Sequence, residues 1–422
     1  MRILNYFKEN NLLLFFVFVT FFPTVRMLLI GSDASTNILE YFISVLPELL
    51  FFGIVFWNSI QWFNRGVFKL HTFDKLVIFY IAYNLVVGLI VANDLAMSIY
   101  AIRLTYLPMF IYFIASFYSF KFQKIELIIK KIVDFFLLIA IIGLLLYFVF
   151  PKIQHYFLFE ASNGVIPEYF IIRMTSVLWT PVVFSSIMAA SILYYFYQYL
   201  KDHKRINLLY LAILFICLFL SVSRGAMIAI TFGIVVLGFL KMDIKKIAVI
   251  ILLETATFSL VGFYVSNPIE FGSWIVSSSK ETMEMKKGVT RVDLWQKSNK
   301  ELLSHPFGFG LGKAGHVAAR FQSEKDKKVS TTSTDGWFLK TILETGYIAL
   351  AFYFVISLFF ALNWWSYFRK YGFDILTFIF VLGLVVNVQN LVSNVLDFYL
   401  FSYFYWFIIG IFVLKLKRIS DV

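Results

Sequence analysis

Charged residues, cysteines and histidines are scarce in this sequence. Its 422 residues include one cysteine and five histidines, and only 15% are charged. Cys217 has no partner in the chain for a disulfide, and the histidines are too scattered to form a metal site. No Asp-x-Asp pair is present to hold a metal-bound nucleotide sugar. The sequence therefore predicts neither a metal nor a cofactor.

Apolar residues are abundant and fall into long runs. They make up 60% of the chain, and aromatic residues 20%, far above the shares in soluble domains. Runs of about 18 to 22 residues match the length that a helix needs to cross hydrocarbon, and they lack the alternation of a barrel. We expect an all-α integral membrane protein with about twelve transmembrane helices. The predicted spans are residues 12–30, 38–60, 76–92, 99–119, 132–150, 177–199, 206–222, 226–240, 247–265, 337–362, 375–392 and 398–414.

The cations of the short loops are unequally distributed between the two sides of the membrane. Most lie on the side that carries both termini, which predicts cytoplasmic termini by the positive-inside rule. The first apolar run is long and has no small-residue cleavage site after it, so we expect a retained helix rather than a signal peptide. The net charge of +12 needs no nucleic acid partner to explain it. The few cations at opposite, external ends are Arg26, Arg103, Lys152, Arg173 and Arg224.

The spans divide the chain into a transmembrane part at 1–265, an extracytoplasmic loop at 266–336 and a second transmembrane part at 337–422. Thr290 can cap a helix over Arg291–Ser304 in this loop, which His305 and Pro306 would end. Its apolar positions have helical spacing, which indicates an amphipathic helix lying on the membrane or on a neighbouring helix. These positions are Val292, Trp295, Leu302 and Leu303. The glycine-rich residues after Pro306 could bind an anion through their backbone amides, but they have neither a P-loop spacing nor a preceding strand. They are interpreted as a flexible connection.

Four arginines at predicted external ends of helices could bind an anion. Arg173 precedes the sixth span, and Arg224 lies in a tight turn between two spans. Arg291 begins the loop helix, and Arg103 lies one turn inside the fourth span. Guanidinium groups make forked hydrogen bonds to phosphate oxygens, so several that converge would hold a lipid pyrophosphate. The alternative is that they snorkel to ordinary phospholipid phosphates.

Three further residues near the tenth span could contact a substrate. Asp335, just before this span, could accept a proton from a sugar hydroxyl or orient it, or it could only cap the helix. Glu344 lies within the span, where a carboxylate usually has a partner or a function. His316 is either a solvated loop residue or an external base.

Three motifs, in this order and at these topological places, resemble the O-antigen ligase and O-antigen polymerase (Wzy-type) superfamily of bacterial membrane glycosyltransferases. The resemblance covers roughly residues 170–360. The motifs are Ser223-Arg-Gly-Ala226, Arg291-Val-Asp-Leu-Trp295 followed by His305-Pro-Phe-Gly-Phe-Gly310, and Asp335-Gly-Trp-Phe-Leu-Lys-Thr-Ile-Leu-Glu-Thr-Gly346.

The resemblance implies a GT-C-like enzyme of the bacterial plasma membrane. Such an enzyme moves a glycan from an undecaprenyl-pyrophosphate-linked donor to an acceptor hydroxyl on the external face, without a metal. Arg173, Arg224 and Arg291 would stabilise the departing pyrophosphate, with Arg103, His316 and Glu344 as substrate-binding residues. The implied partners are the lipid-linked oligosaccharide, membrane lipid, a chain-length regulator and a flippase.

One departure from the family pattern favours a polymerase over a ligase. Ligases carry a histidine, often His-Asn, where this sequence has Thr334-Asp335. Asp335 would then handle the acceptor in its place. A transporter of lipid-linked sugars is the alternative from another class, but it would be expected to place its charges near the bilayer midplane.

Overall fold

The structure is a computed structural model, and it is almost entirely helical in the residues that it describes. These are 13–22, 46, 48–50, 53, 70–92, 94–117, 122–150, 153, 165–166, 171–178, 180–265, 291–321 and 336–420. The helices are α1 (Leu13–Phe22), α2 (Thr72–Val91), α3 (Leu95–Phe117), α4 (Phe122–Phe148), α5 (Pro181–Asp202), α6 (Ile206–Leu220), α7 (Arg224–Lys241), α8 (Ile244–Val265), α9 (Arg291–Ser304), α10 (Gly315–Phe321), α11 (Trp337–Tyr371), α12 (Ile375–Asn390) and α13 (Tyr399–Ser420). A two-residue antiparallel ladder joins β1 (Val165–Ile166) to β2 (Ile171–Ile172).

The structure has helices at the predicted spans that it describes. Six helices within the described ranges are long and apolar enough to cross a membrane, and α1, α6 and α12 are shorter apolar helices. Every predicted span except 38–60, which lies mostly outside the described residues, overlaps a helix. The chain is a predominantly helical integral membrane protein.

Contacts group the chain into two compact units, each assembled from separate stretches of sequence. The first unit comprises Met1–Lys69, Phe110–Thr257 and Tyr403–Val422. The second comprises Leu70–Met109 and Phe258–Ser402.

Helix α5 forms the centre of the first unit and packs against α4, α6 and α7. Thr180 caps its start through a bond from the amide of Val183 to its hydroxyl, and Pro181 occupies the first turn. His203 ends the helix in the left-handed conformation, with φ 58°. The small residues within α5 are buried and allow neighbouring helices to approach closely. They are Ser185, Ser186, Ala189, Ala190 and Ser191.

Helix α11 in the second unit is 35 residues long and is interrupted at Gly346, with φ 81° and ψ 178°. The residues after this break, 347–371, rise about 37 Å at helical geometry, which is enough to cross hydrocarbon about 30 Å thick. Residues 347–371 can therefore span the membrane without residues 337–345, which include Lys340 and Glu344.

The loop helix predicted from the sequence is confirmed as α9, with the same bounds. It packs on a neighbouring helix, because Leu302 is buried in a cluster with Leu339, Ile342 and Leu343 of α11. Trp295 packs against the same cluster. Leu303 does not share this contact, since its side chain is 84% exposed.

The glycine-rich connection after α9 is ordered and packed rather than flexible. Its backbone amides at Phe309 and Gly310 donate to the carbonyls of Leu343 and Glu344 at 2.8 and 3.0 Å. A side chain at Gly346 would overlap the carbonyl oxygen of Pro306, so the break in α11 is where this loop crosses the helix. The interpretation as a flexible connection was wrong because these hydrogen bonds join segments that are distant in sequence.

Candidate functional site

Arg173 is anchored to the turn between α6 and α7 in the first unit. Its Nε donates to the carbonyl of Ser221 at 3.0 Å, and Nη2 donates to the carbonyl of Val222 at 3.4 Å. The amide of Met174 donates to the carbonyl of Leu220 at 2.9 Å. Two of the five guanidinium donors are therefore fixed by backbone carbonyls, and this fixes the direction of the planar group.

Arg224 begins α7 directly after this turn, and its charge acts on Arg173. Burial, followed by repulsion from Arg224, lowers the pKa of Arg173 to about 10, which leaves it cationic at neutral pH. Two guanidinium groups held within electrostatic reach of each other repel, and an anion between them would relieve that repulsion. Two cationic side chains therefore act on each other at the turn between α6 and α7.

The turn that holds this pair is strained. Val222 has φ 52°, a conformation that is a genuine outlier for a β-branched residue. Such strain persists only where surrounding contacts enforce it, and it occurs most often at functional sites. Here the bonds from Arg173 and Met174 provide that enforcement.

A second polar cluster lies in the second unit and is almost completely buried. The ammonium of Lys340 lies 2.6 Å from Oδ1 of Asp397 and donates to the hydroxyl of Thr105 at 2.8 Å. That hydroxyl donates to the same carboxylate oxygen at 3.1 Å. Lys340 is 1% exposed and Asp397 2%, so the pair is shielded from water, and each charge depends on the other.

Glu344 connects this cluster to the glycine-rich loop. Its Oε2 lies 3.8 Å from Nζ of Lys340, and its Oε1 accepts from the amide of Gly312 at 3.0 Å. The next residue, Thr345, donates to Asn84 of α2 at 2.6 Å. The carboxylate predicted to need a partner is thus partnered on both oxygens, and it holds the loop against α11.

Arg103 and His316 contact Tyr399 and Phe398, the two residues that follow Asp397 in the sequence. The guanidinium carbon of Arg103 lies 5.9 Å from the ring centroids of Tyr100 and Tyr399, within cation–π range. The ring of His316 lies 4.9 Å from that of Phe398. The structure therefore brings three of the predicted residues, Arg103, His316 and Glu344, to the second unit's buried cluster or its edge.

The structure does not describe the side chains of the remaining two predicted residues. Arg291 is the first residue of α9, and its side chain lies outside the described residues. Asp335 also lies outside them, immediately before Gly336, which the structure describes. Their proposed roles therefore stay predictions.

Lys340 and Asp397 are the charged residues of the buried cluster that the sequence analysis did not select. A lysine four residues before Glu344 on the same helix face was a usable signal, because such pairs interact. Asp397 gave no signal of its own, since it is 57 residues from Lys340. In the described part of the chain, no group of three or more His, Cys, Asp or Glu residues could hold a metal ion.

A comparison with known families identifies a domain in the chain. A family model described as O-antigen ligase matches residues 209–354, which include Arg224, Arg291 and the first part of α11. No curated protein matches the chain. The match agrees with the three sequence motifs and the membrane fold, and together they support the O-antigen ligase and polymerase superfamily for residues 209–354.

Proposed function

We propose that this protein is a polymerase that joins undecaprenyl-pyrophosphate-linked oligosaccharide repeats on the external face of the plasma membrane. The observation that carries the proposal is the pair Arg173 and Arg224. The strained turn at Val222 anchors Arg173, and the charge of Arg224 acts on it. A pyrophosphate is an anion that would neutralise both.

In the proposed reaction, Arg173 and Arg224 stabilise the leaving group. The acceptor hydroxyl attacks the anomeric carbon of the donor sugar, the bond from that carbon to the pyrophosphate oxygen breaks, and the lipid pyrophosphate leaves. Its negative charge grows as the bond breaks, so fixed guanidinium groups stabilise the transition state more than the ground state. Asp335 accepts the hydroxyl proton, and Arg291 contributes a further cation; both roles rest on the sequence.

Polymerase is favoured over ligase because Asp335 stands where the ligase pattern has histidine. The donor supplies the energy of its pyrophosphate bond, so neither a metal nor a nucleotide is required. The flippase implied by the resemblance would deliver the donor before this step, and the chain-length regulator would act on the growing chain.

Purified protein in vesicles tests the proposal. It should convert lipid-linked repeats into a ladder of longer chains with no ATP or ion gradient present. Transfer only to another added acceptor would instead indicate a ligase. Movement of the lipid-linked sugar across the bilayer without a new glycosidic bond would indicate a transporter.

A further inference from the structure

A cavity of about 530 Å³ lies between α4, α5 and α6 in the first unit. We call it the α4–α6 cavity. It lies at the end of α6 that begins at Ile206, whereas Arg173 contacts the turn after Leu220 at the opposite end. These two ends of α6 are about 21 Å apart at helical rise, so the cavity is separate from the arginine pair. Its volume lies within the range of small-molecule sites.

A carboxylate without an ion pair in the described part of the chain, that of Asp134, lines this cavity. Its Oδ1 accepts from the hydroxyl of Tyr195 at 2.7 Å, and the side chain is exposed. Residues Ile125–Phe148 of α4 are long and apolar enough to cross a membrane, and Asp134 lies about 14 Å along them at helical rise. Ionisable groups at such depth usually face a cavity and pair with an opposite charge. Asp134 is therefore available to a cation that enters the cavity.

A cation, Lys130, lines the cavity one helical turn before Asp134. It is exposed, and among the described residues it makes no ion pair. A lysine four residues before an acid is the weaker orientation of such helix pairs, and these two groups do not contact each other. The neighbouring Glu126 is already held by Lys201 at 2.6 Å. The cavity thus has one carboxylate and one ammonium that remain open to a ligand.

Neutral polar and aromatic side chains complete the lining. Asn207 of α6 is 7% exposed, and its side chain makes no hydrogen bond to any residue that the structure describes. Buried polar groups are nearly always paired, so its amide is suited to a bound molecule. Near Asp134, the ring of Tyr195 lies 5.0 Å from that of Tyr210 and 5.7 Å from that of Tyr194. Aromatic rings beside a carboxylate suit an organic ammonium group.

The order of these charges decides the chemistry of the ligand and its source. Lys130 repels a simple cation and Asp134 repels a simple anion, so a zwitterion fits both. Asp134 lies about 6 Å further into the helix than Lys130, so the ammonium of the ligand must enter first. A phospholipid of the adjacent leaflet has the opposite order, because its phosphate is nearer to the acyl chains than its amine. The ligand therefore comes from the aqueous phase at this face, which the positive-inside rule predicts to be the cytoplasm.

We propose that the α4–α6 cavity binds a small soluble zwitterion of the aminoalkyl phosphate class. Its ammonium pairs with Asp134 beside the tyrosine rings, and its phosphate pairs with Lys130 and accepts from the amide of Asn207. This site is additional to the arginine pair, and it does not depend on the polymerase function.

Binding of phosphoethanolamine to the purified full-length protein tests the proposal. The protein is placed in nanodiscs of phosphatidylglycerol, whose headgroup has no amine, and binding is followed by titration calorimetry. Ethanolamine and inorganic phosphate each carry one of the two charges. Phosphoethanolamine should bind at least about tenfold more tightly than either fragment, because the two charge-assisted contacts add.

Two substitutions test the assigned contacts. Asp134→Asn loses the charge and keeps an acceptor for Tyr195, and Lys130→Met loses the ammonium. Each should weaken phosphoethanolamine binding at least about tenfold, as expected when a hydrogen bond to a charged group is lost. Lys131→Met is the matched control, since Lys131 is exposed beside Lys130 and does not line the cavity. It should bind normally, and thermal unfolding of all three variants checks that they fold.

Absence of saturable phosphoethanolamine binding by the wild type would overturn the proposal. Equal affinity in Lys130→Met and Lys131→Met would overturn it as well, as would fragments that bind as tightly as the zwitterion. Replacing half of the nanodisc lipid by phosphatidylethanolamine should leave the affinity unchanged. Loss of phosphoethanolamine binding in those nanodiscs would assign the cavity to a lipid headgroup and overturn the aqueous source.

Discussion

The ammonium of Lys340 lies 2.6 Å from Oδ1 of Asp397, and both side chains are almost completely buried. Removing one partner leaves the other charge uncompensated, which costs about 3–5 kcal/mol in buried pairs. We therefore expect Lys340→Met to lower the free energy of unfolding by about that amount. Unfolding in detergent, followed by circular dichroism, measures it.

The double variant Lys340→Met with Asp397→Leu should recover only part of this loss, because it removes the unpaired charge of Asp397, whereas Glu344, 3.8 Å from Lys340, still loses its cation. Lys300→Met is the matched control, since Lys300 is exposed on α9. Equal stability of Lys340→Met and the control would show that the pair contributes no stability.

Arg224→Lys keeps the positive charge but loses the planar fork that matches phosphate oxygens. We expect it to lower polymerisation by about 1–3 kcal/mol of transition-state stabilisation, on the scale of one lost oxyanion donor. Arg173→Lys should do the same and should also destabilise the turn, because the bonds to Ser221 and Val222 are lost. Initial rates at equal protein level measure the effect.

Arg205→Lys is the control for both substitutions, because Arg205 is exposed at the other end of α6. It should polymerise normally. Full activity of Arg173→Lys and Arg224→Lys would leave only the interpretation that the pair contacts ordinary phospholipid.

Asp335→Asn separates catalysis from helix capping. Asparagine caps a helix about as well as aspartate, so the variant should fold normally. It cannot accept a proton at neutral pH, so turnover should fall about 10²- to 10⁴-fold if Asp335 is the base. Asp335→His should keep part of the activity, because imidazole can accept a proton. Full polymerisation by the Asn variant would assign Asp335 to capping alone.

The orientation is tested by cysteine labelling in a Cys217→Ala background. Lys300 of α9 and Lys204, between α5 and α6, are both exposed. The positive-inside rule places Lys300→Cys outside and Lys204→Cys in the cytoplasm. A membrane-impermeant thiol reagent added to cells with a permeabilised outer barrier should label only the first. Labelling of Lys204→Cys alone would show that the orientation is the reverse of the predicted one.

The sequence by itself determined the membrane class, the presence of a helix at each described span and the bounds of α9. These features depend on local signals: apolar run length decides whether a helix can cross hydrocarbon, and capping and proline decide where α9 begins and ends. The arginine at the start of α7 was also visible, because a charge in so short a turn between spans is costly.

Only the tertiary structure decided which of these residues meet. It held Arg173 against Ser221 and Val222, paired Lys340 with Asp397, and passed the glycine-rich loop across α11 at Gly346. Thr105 and Lys340 are 235 residues apart in sequence. Such contacts have no local signal, because they depend on how helices pack around buried charges, and each charge is tolerated only where packing supplies its partner.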